Sequence, residues 1–164
     1  MSNVIWVDEN DNVLGEISRE QAHDKNMLHR VAAIFLLNDR GEILVNERAK
    51  DGYLDHSSAG HVEVGESYLI AAKRELEEEL GVANVELHEL GLTKEDDKSD
   101  RRHIYKVFIC RALPRALNEK EVKSVFWANP AAVLEDMKKS PEKYTGGFKS
   151  TLNLFLKERN AGRF

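Results

Sequence analysis

Short apolar blocks separated by polar turns predict strands on both sides of one central helix in this chain of 164 residues. Two short strands are predicted at Val4–Val7 and Val13–Ile17, and Ser18 follows as the cap of a short helix through Gln21. The apolar run Val31–Leu37 and the segment Glu42–Asn46 flank turn-forming residues. They predict a strand, a tight turn and a second strand.

The second half of the chain repeats strand patterns and then changes to helix patterns. Three more strands are predicted, at Val85–Leu92, Ile104–Cys110 and Val122–Trp127. The charged stretch Lys94–Arg102 between the first two is predicted to be a solvated loop. The order of strands, one central helix, more strands and two helices predicts an α+β sandwich with a mixed sheet.

Two helices are predicted to close the chain. Asn129 is a capping residue and Pro130 suits the first helical position, and Ser140-Pro141 ends that helix. The last helix carries one apolar face, formed by Phe148, Leu152, Phe155 and Leu156.

The central helix is predicted over residues 67–80, which are rich in Ala, Leu, Glu and Lys, contain no proline and end at Gly81. Its expected core stripe consists of Leu69, Ala72, Leu76 and Leu80. Glu75, Glu78 and Glu79 stand at i, i+3 and i+4, which gathers three carboxylates on another face. A bound divalent cation would turn their repulsion into attraction, whereas a solvated acidic face is the alternative interpretation.

Bulk composition favours a single domain over residues 1–164, and it argues against a nucleic-acid-binding, membrane-binding or disulfide-stabilised protein. A net charge of −5 gives no reason to expect a nucleic-acid or membrane partner. Cys110 is the only cysteine, so no intramolecular disulfide can form, and its apolar neighbours predict a buried side chain. The polar N-terminal residues show no signal peptide, and a cytoplasmic protein is expected.

Nine positions around the central helix resemble the Nudix box, the motif of a superfamily that cleaves nucleoside diphosphates linked to other groups. They are Gly60, Glu66, Arg74, Glu75, Leu76, Glu78, Glu79, Gly81 and Val82. The resemblance implies a Nudix-like α/β/α sandwich with a mixed sheet and a central loop–helix–loop.

The resemblance also implies the site residues. It places Glu75, Glu78 and Glu79 as catalytic residues and as ligands of Mg²⁺ or Mn²⁺, with Gly60 also at the metal, and no other cofactor-binding residue is predicted. Arg74 is implied to act with these acids by keeping them oriented. The residues themselves agree, because Arg74 and Glu78 form an i, i+4 pair and Arg can hold a carboxylate bidentately.

Hydrolysis of a small-molecule diphosphate is the expected reaction. A diphosphate repels an incoming anion and has a leaving group that must carry charge; divalent ions offset both problems and ease deprotonation of a bound water. One of the box glutamates, or an acid outside the box, is expected to take that proton. The outside candidates are Glu95, Asp96, Asp97, Glu119 and Glu121, for each of which a surface position is the alternative.

Looser similarity extends to the Nudix branch that contains isopentenyl-diphosphate isomerase. The isomerases bind a metal through histidines, and His23, His29 and His61 fall near those positions. Two departures argue against isomerase activity. Ala59 stands where the isomerases use a cysteine. The isomerases also use carboxylates on a later strand, where this chain has Arg102, His103 and Ile104 instead. The preferred interpretation is therefore that the three histidines are inherited structure or solvated side chains. A second metal site is the alternative.

Three questions stay open at the level of sequence. An isomerase-like activity and a non-catalytic diphosphate-binding module are alternatives to hydrolysis, although the acidic positions of the box are intact. Nucleoside diphosphate derivatives are the first candidate substrate class, and prenyl diphosphates are the second. Tyr53 is a residue that could stack on a base, and Arg48 and Lys50 are weaker candidates for contact with phosphate. A homodimer is possible through the last helix.

Overall fold

A computed structural model describes residues 3–94 and 102–164. The nine strands of these ranges are β1 (Val4–Val7), β2 (Val13–Ile17), β3 (His29–Leu37), β4 (Ile43–Arg48), β5 (Leu54–Asp55), β6 (Ser58–His61), β7 (His88–Lys94), β8 (His103–Arg111) and β9 (Val122–Ala128). The helices are α1 (Arg19–Asp24), α2 (Tyr68–Leu80), α3 (Pro130–Lys139) and α4 (Phe148–Asn160), with a short 3-10 turn at Pro141–Lys143.

The long strand β3 lies at the centre of a mixed sheet. It pairs in parallel with β8 along its full length, from His29 opposite His103 to Leu37 opposite Arg111. It pairs antiparallel with β1, β4 and β6, and the sheet continues through β2, β5, β7 and β9. β3 is buried on both faces because helices cover both, and its sequence is accordingly a continuous apolar run rather than an alternating one.

Alternate residues of β3 contribute to two separate hydrophobic clusters, one on each face of the sheet. Ala32, Ile34 and Leu36 pack in the cluster that contains Leu76 and Leu80 of α2. Val31, Ala33, Phe35 and Leu37 pack in the other cluster, which contains Met137 of α3 and Leu152 and Phe155 of α4. Side chains alternate across a strand with period two, so this division places α2 on one face and α3 with α4 on the other. The predicted α/β/α sandwich is confirmed.

Capping residues set the ends of α2. The Ser67 side chain accepts a hydrogen bond from the Ile70 amide at the N-terminus, and Gly81 closes the C-terminus with φ +67°. The predicted helix is confirmed, but Leu69 is not a core residue. Its side chain is 41% exposed. Tyr68 and Ala71 are buried instead, together with the predicted Ala72, Leu76 and Leu80, so the buried face begins at Tyr68 rather than at Leu69.

Several other predictions are confirmed, with small changes in length. β1 and β2 have the predicted bounds, the short helix after Ser18 extends to Asp24, and Cys110 is buried. The sequence did not predict β5 and β6, which have two and four residues. The predicted solvated loop falls mostly outside the described residues. Among residues 3–94 and 102–164, none of the helices could span a membrane.

Candidate active site

Three carboxylates meet beside the C-terminal half of α2. One side-chain oxygen from each of Glu75, Glu79 and Glu121 lies within 4.8 Å of the other two. Glu75 is only 9% exposed and Glu79 is half-buried, whereas Glu121 is exposed. Two of the three come from the predicted box, and the third was one of five outside candidates.

Backbone hydrogen bonds hold Glu121 at this position. The segment before β9 lies along the end of α2, where the amide of Asn118 donates to the carbonyl of Glu79 at 3.0 Å. A turn then follows, in which the Glu121 amide donates to the Asn118 carbonyl at 2.9 Å. The Ala49 amide donates to the Glu121 carbonyl at 3.0 Å. These bonds fix the backbone of Glu121 relative to the helix, although its side chain is reachable from solvent.

Residues of strand β6 contact the carboxyl groups of Glu75 and Glu79. The Ser58 hydroxyl donates to Oε1 of Glu79 at 2.6 Å, and the Ala59 amide donates to the same oxygen at 3.0 Å. Gly60 lies directly against Glu75, and a Cβ atom at this position would overlap the Glu75 carboxyl group. The absence of a side chain at Gly60 is therefore what leaves room for the Glu75 carboxylate.

Arg74 links the box residues through charge-assisted hydrogen bonds. Its guanidinium donates to both oxygens of Glu66 at 2.7 and 2.8 Å and to Oε1 of Glu75 at 2.6 Å. It also donates to the carbonyl of His61 at 3.1 Å and to Glu78 at 3.5 Å. The bidentate contact with Glu66 fixes the plane of the guanidinium, so Arg74 can hold Glu75 in one orientation.

The remaining predicted site residues lie apart from the three carboxylates. Glu78 is exposed, with Arg74 as its ion-pair partner, and it is not part of the Glu75, Glu79 and Glu121 group. Glu119 is exposed as well and is not in that group. The candidates Glu95, Asp96 and Asp97 lie outside the described residues.

Burial alters the acidity of both buried glutamates. Desolvation raises the pKa of Glu75 to about 7, although Arg74 opposes the shift. Desolvation and repulsion from Glu75 raise the pKa of Glu79 to about 8, against the hydrogen bond from Ser58. Two buried carboxyl groups side by side are costly as anions, and a cation between them would remove that cost.

These residues fit a hard divalent cation. Mg²⁺ prefers carboxylate oxygens and is usually held by a few of them together with phosphate oxygens. Glu75, Glu79 and Glu121 supply three such groups, and Gly60 leaves the space that the Glu75 carboxylate occupies. Glu75, Glu79 and Glu121 are therefore a group that could hold a divalent cation.

A second group of side chains consists of four histidines, which we call the histidine cluster: His23, His29, His61 and His103. One ring nitrogen from each lies within 4.8 Å of those of the other three. In the sequence, His23, His29 and His61 fall near the positions of the isomerases' metal-binding histidines, whereas His103 entered only as a departure from the isomerase pattern. The expectation of solvated side chains does not hold for His29, which is fully buried.

The buried rings of the histidine cluster favour their neutral form. Burial, together with the nearby His103, lowers the pKa of His29 to about 3. Burial, together with the nearby His29, lowers the pKa of His61 to about 2. A neutral imidazole keeps a free lone pair on one ring nitrogen.

Comparison with known proteins agrees with this geometry. The NUDIX domain profile matches residues 27–146. The uncharacterised Nudix hydrolase YfcD of Escherichia coli is 36% identical over an alignment 166 residues long. The alignment covers 95% of this chain and 88% of that protein. A protein of Serratia proteamaculans named isopentenyl-diphosphate Delta-isomerase is 31% identical over 157 residues, which cover 88% of this chain and 86% of that protein.

Solved structures share the fold. A crystal structure of a protein from Deinococcus radiodurans superposes with a TM-score of 0.79 at 24% identity, covering 92% of this chain and 97% of that one. Fold, box residues and family profile agree along most of the chain. The chain therefore belongs to the Nudix family and is a hydrolase that acts on phosphoanhydride bonds.

Proposed function

We propose that this protein hydrolyses the diphosphate linkage of a nucleoside diphosphate derivative or a related organic diphosphate, with Mg²⁺ as its metal and Mn²⁺ as a substitute. The observation that carries the proposal is the meeting of the Glu75, Glu79 and Glu121 carboxylates within 4.8 Å. A solvated acidic face would leave these side chains apart. Here Glu75 is buried, Glu79 is half-buried and both are anchored by hydrogen bonds, and a cation bound with the diphosphate would stabilise the ionised form of both carboxyl groups.

Each residue of the site has a distinct part in the proposed reaction. When bound, Mg²⁺ supplies positive charge that offsets the charge on the diphosphate and its leaving group. Glu75 and Glu79 are held by the Arg74 guanidinium and by Ser58, so their oxygens are already oriented before substrate binds. Glu121 reaches the same point from outside the helix and is exposed, so it borders the side from which substrate enters.

We further propose that a residue beyond the carboxylates recognises the base of a nucleoside derivative. Tyr53 precedes β5 and is 46% exposed, and an exposed ring can stack on a base. Arg48 is less free to meet phosphate, because its guanidinium pairs with Asp51 and lies 3.9 Å from Asp55. We therefore place base recognition at Tyr53 and metal-assisted phosphate binding at the carboxylates.

The test is a substrate panel with Mg²⁺, comparing the wild type with Glu121→Gln and with the matched variant Glu119→Gln. The panel contains nucleoside triphosphates, ADP-ribose, NADH, diadenosine polyphosphates and isopentenyl diphosphate, with phosphate and pyrophosphate release as the measurement. We expect Mg²⁺-dependent turnover, and a loss of at least about 10-fold in kcat/KM for Glu121→Gln because a group at the metal is removed. Glu119→Gln, two residues away and outside the group, should retain wild-type kcat/KM.

Two results would contradict the proposal. Absence of Mg²⁺-dependent release from every member of the panel would remove the hydrolase assignment for these substrates. Equal activity of Glu121→Gln and the wild type would remove Glu121 from the site.

Isomerase activity is a second candidate, because the Serratia relative named as an isomerase is 31% identical over 157 residues. Ala59 argues against it, since a methyl group cannot move a proton in the place where the isomerases use a cysteine thiol. The same panel decides between the two reactions, provided that the products from isopentenyl diphosphate are analysed for the rearranged double bond as well as for released phosphate.

A further inference from the structure

We propose that Ser58 is a positioning residue of the carboxylate site, because its hydroxyl helps to fix which oxygen of Glu79 is presented to a cation. The Ser58 hydroxyl donates to Oε1 of Glu79 at 2.6 Å, and the Ala59 amide donates to the same atom at 3.0 Å. Ser58 is fully buried and lies outside the nine box positions. This role rests on the proposed function, in which Glu79 belongs to a group that holds a divalent ion.

Two donors fill the hydrogen-bonding capacity of Oε1 of Glu79. An ionised carboxylate has about four lone-pair sites on its two oxygens, which is about two on each oxygen. The Ser58 hydroxyl and the Ala59 amide occupy the two sites of Oε1. Oε2 is therefore the oxygen that remains for the cation, and the carboxylate is held with this atom directed away from β6.

The spacing of β6 matches the spacing of α2, which explains why this hydrogen bond forms. Residues two apart in a strand share a face and are roughly 6.6–6.8 Å apart, and residues four apart in a helix rise about 6.0 Å. Ser58 and Gly60 are two apart in β6, and the Ser58 hydroxyl reaches Glu79. Gly60 lies against Glu75, which is four residues before Glu79 in α2. The two contacts are thus successive steps of one match between strand and helix.

The register of the sheet sets the direction of the Ser58 side chain. Ser58 stands opposite Ile34 in the antiparallel pair of β3 with β6, and cross-strand partners project to the same face. Ile34 packs in the hydrophobic cluster that contains Leu76 and Leu80 of α2. The Ser58 hydroxyl therefore projects toward α2 because of strand pairing, and it is in place before a cation binds.

The preceding residue, Ser57, has a purely structural role and is the natural comparison. Ser57 is also fully buried, and its hydroxyl donates to the carbonyl of Leu44 at 2.6 Å and accepts from the amide of Leu36 at 2.8 Å. Both partners are backbone groups, one in β4 and one in β3. Two neighbouring buried serines thus differ in what their hydroxyls bind: Ser57 joins two strands, whereas Ser58 contacts a carboxylate of the site.

Removal of the Ser58 hydroxyl should weaken metal binding. In Ser58→Ala only the Ala59 amide still donates to Oε1, so the Glu79 carboxylate can rotate and present either oxygen. Loss of an outer hydrogen-bond partner of a metal ligand lowers metal affinity by about 10- to 100-fold. We expect a loss in this range for Mn²⁺, measured by calorimetry on the full-length protein with Mn²⁺ alone.

Ser57→Ala is the matched control. It leaves the buried Leu36 amide and Leu44 carbonyl without their hydroxyl partner, so it should lower the Tm. It changes no contact of Glu79 and should therefore retain the wild-type affinity for Mn²⁺. A loss of affinity in both variants that follows their loss in Tm would overturn the proposal, because destabilisation alone would then explain the effect of Ser58→Ala.

The electron paramagnetic resonance spectrum of bound Mn²⁺ separates positioning from general stability. The zero-field splitting of this ion depends on the arrangement of its ligands. At Mn²⁺ concentrations that saturate each protein, the spectrum of Ser58→Ala should differ from that of the wild type, and the spectrum of Ser57→Ala should not. Identical spectra for all three proteins would overturn the positioning role.

A measurement on the wild type covers the case in which Ser58→Ala does not fold. If the cation binds Oε2 of Glu79, the Ala59 amide keeps its hydrogen bond to Oε1. Saturation with Mg²⁺ should then leave this amide at least as protected from hydrogen exchange as it is without the ion. Loss of that protection would place the cation on Oε1 and overturn the proposal.

Failure of the proposed function gives a different result from failure of the positioning role. If the wild type binds neither Mn²⁺ nor Mg²⁺, the metal-dependent function is wrong and the role of Ser58 falls with it. If the wild type binds Mn²⁺ and Ser58→Ala binds it equally tightly, only the role of Ser58 is wrong.

Discussion

At the scale of single residues, the site depends on which side chains are missing as well as on which are present. Glu75 can lie buried beside β6 only because Gly60 has no side chain, and Arg74 then holds the carboxylate through a 2.6 Å hydrogen bond. The sequence named Gly60 and Glu75 through the box. It did not indicate that the two are in contact, since a glycine signals a close approach without naming the group that approaches.

Replacement of Gly60 should therefore act on metal binding more than on folding. In Gly60→Ala the new Cβ atom overlaps the Glu75 carboxyl group, which must move away from Glu79 and Glu121. We expect the affinity for Mn²⁺, measured by calorimetry, to fall by about 10- to 100-fold, the range seen when support of a metal ligand is lost.

Gly15→Ala is the control for that experiment. An added Cβ at Gly15 meets Trp6 at 3.6 Å, an ordinary contact, so the affinity should not change. Unchanged Mn²⁺ affinity in folded Gly60→Ala would show that Glu75 has room to move without loss of binding.

At the scale of elements, the parts that the sequence did not predict are the short ones. β5 has two residues and β6 has four, too few for a period-two pattern to appear. Tertiary hydrogen bonds make them strands. β6 pairs with β3 over four residues, and the end of β5 is joined to the segment before α4 by the Thr145 hydroxyl, which donates to Oδ1 of Asp55 at 2.8 Å.

Asp55 connects these elements as an anion, and its effect on stability should depend on pH. Burial alone would raise the pKa of Asp55, but the adjacent His56 ring and the Thr145 hydroxyl lower it to about 2. The folded-state pKa thus lies below the unfolded value near 3.9, so the stabilisation is complete above about pH 5 and is lost as pH falls through the folded pKa. Asp55→Asn should lower the free energy of unfolding by about 2 kcal/mol at pH 6.

Urea denaturation at several pH values tests this. The difference between the wild type and Asp55→Asn should shrink to about half by pH 3, as linkage requires for this pKa difference. Asp39→Asn, a change at an exposed turn residue, serves as the control. A difference that is constant from pH 6 to pH 3 would mean that the carboxylate charge is not what stabilises the fold.

At the scale of the whole molecule, the sheet separates two hydrophobic cores that have different structural roles. The core on the α2 side supports the carboxylates, and the core on the α3 and α4 side contains the fully buried rings Phe35, Phe148 and Phe155. None of the three carboxylates belongs to the second core, and Ala59, which packs against that core, contributes only its backbone amide to the site. Damage to the second core should therefore affect stability without altering the carboxylates.

Phe155→Ala tests this separation. Removal of a fully buried ring should lower the free energy of unfolding by about 3–5 kcal/mol, measured by urea denaturation. Mn²⁺ affinity should stay at the wild-type value at temperatures where the variant is folded. Leu113→Ala, at a side chain 64% exposed, is the matched control and should change neither quantity. A parallel loss of Mn²⁺ affinity in folded Phe155→Ala would show that the two cores are coupled.

The sequence by itself determined the long elements and the box. Long apolar runs and helix caps are local signals, and they predicted β3, β8, α2 and α3 with small errors at their ends. The box named Arg74, Glu75, Glu78 and Glu79 because their spacing lies within one helix, but that spacing did not indicate that Glu78 lies outside the group formed by Glu75, Glu79 and Glu121. Leu69 was placed wrongly, since a helical stripe shows which residues share a face but not where the sheet stops covering it.

Only the tertiary structure decided which distant residues meet. Glu121 joins Glu75 and Glu79 because backbone hydrogen bonds lay the segment before β9 along the end of α2. His103 joins His29 because β8 pairs in parallel with β3 in a register that sets them opposite each other. Both contacts depend on strand pairing and packing between segments far apart in the chain. A local sequence pattern cannot predict such pairings, because which residues pair depends on the arrangement of the whole sheet.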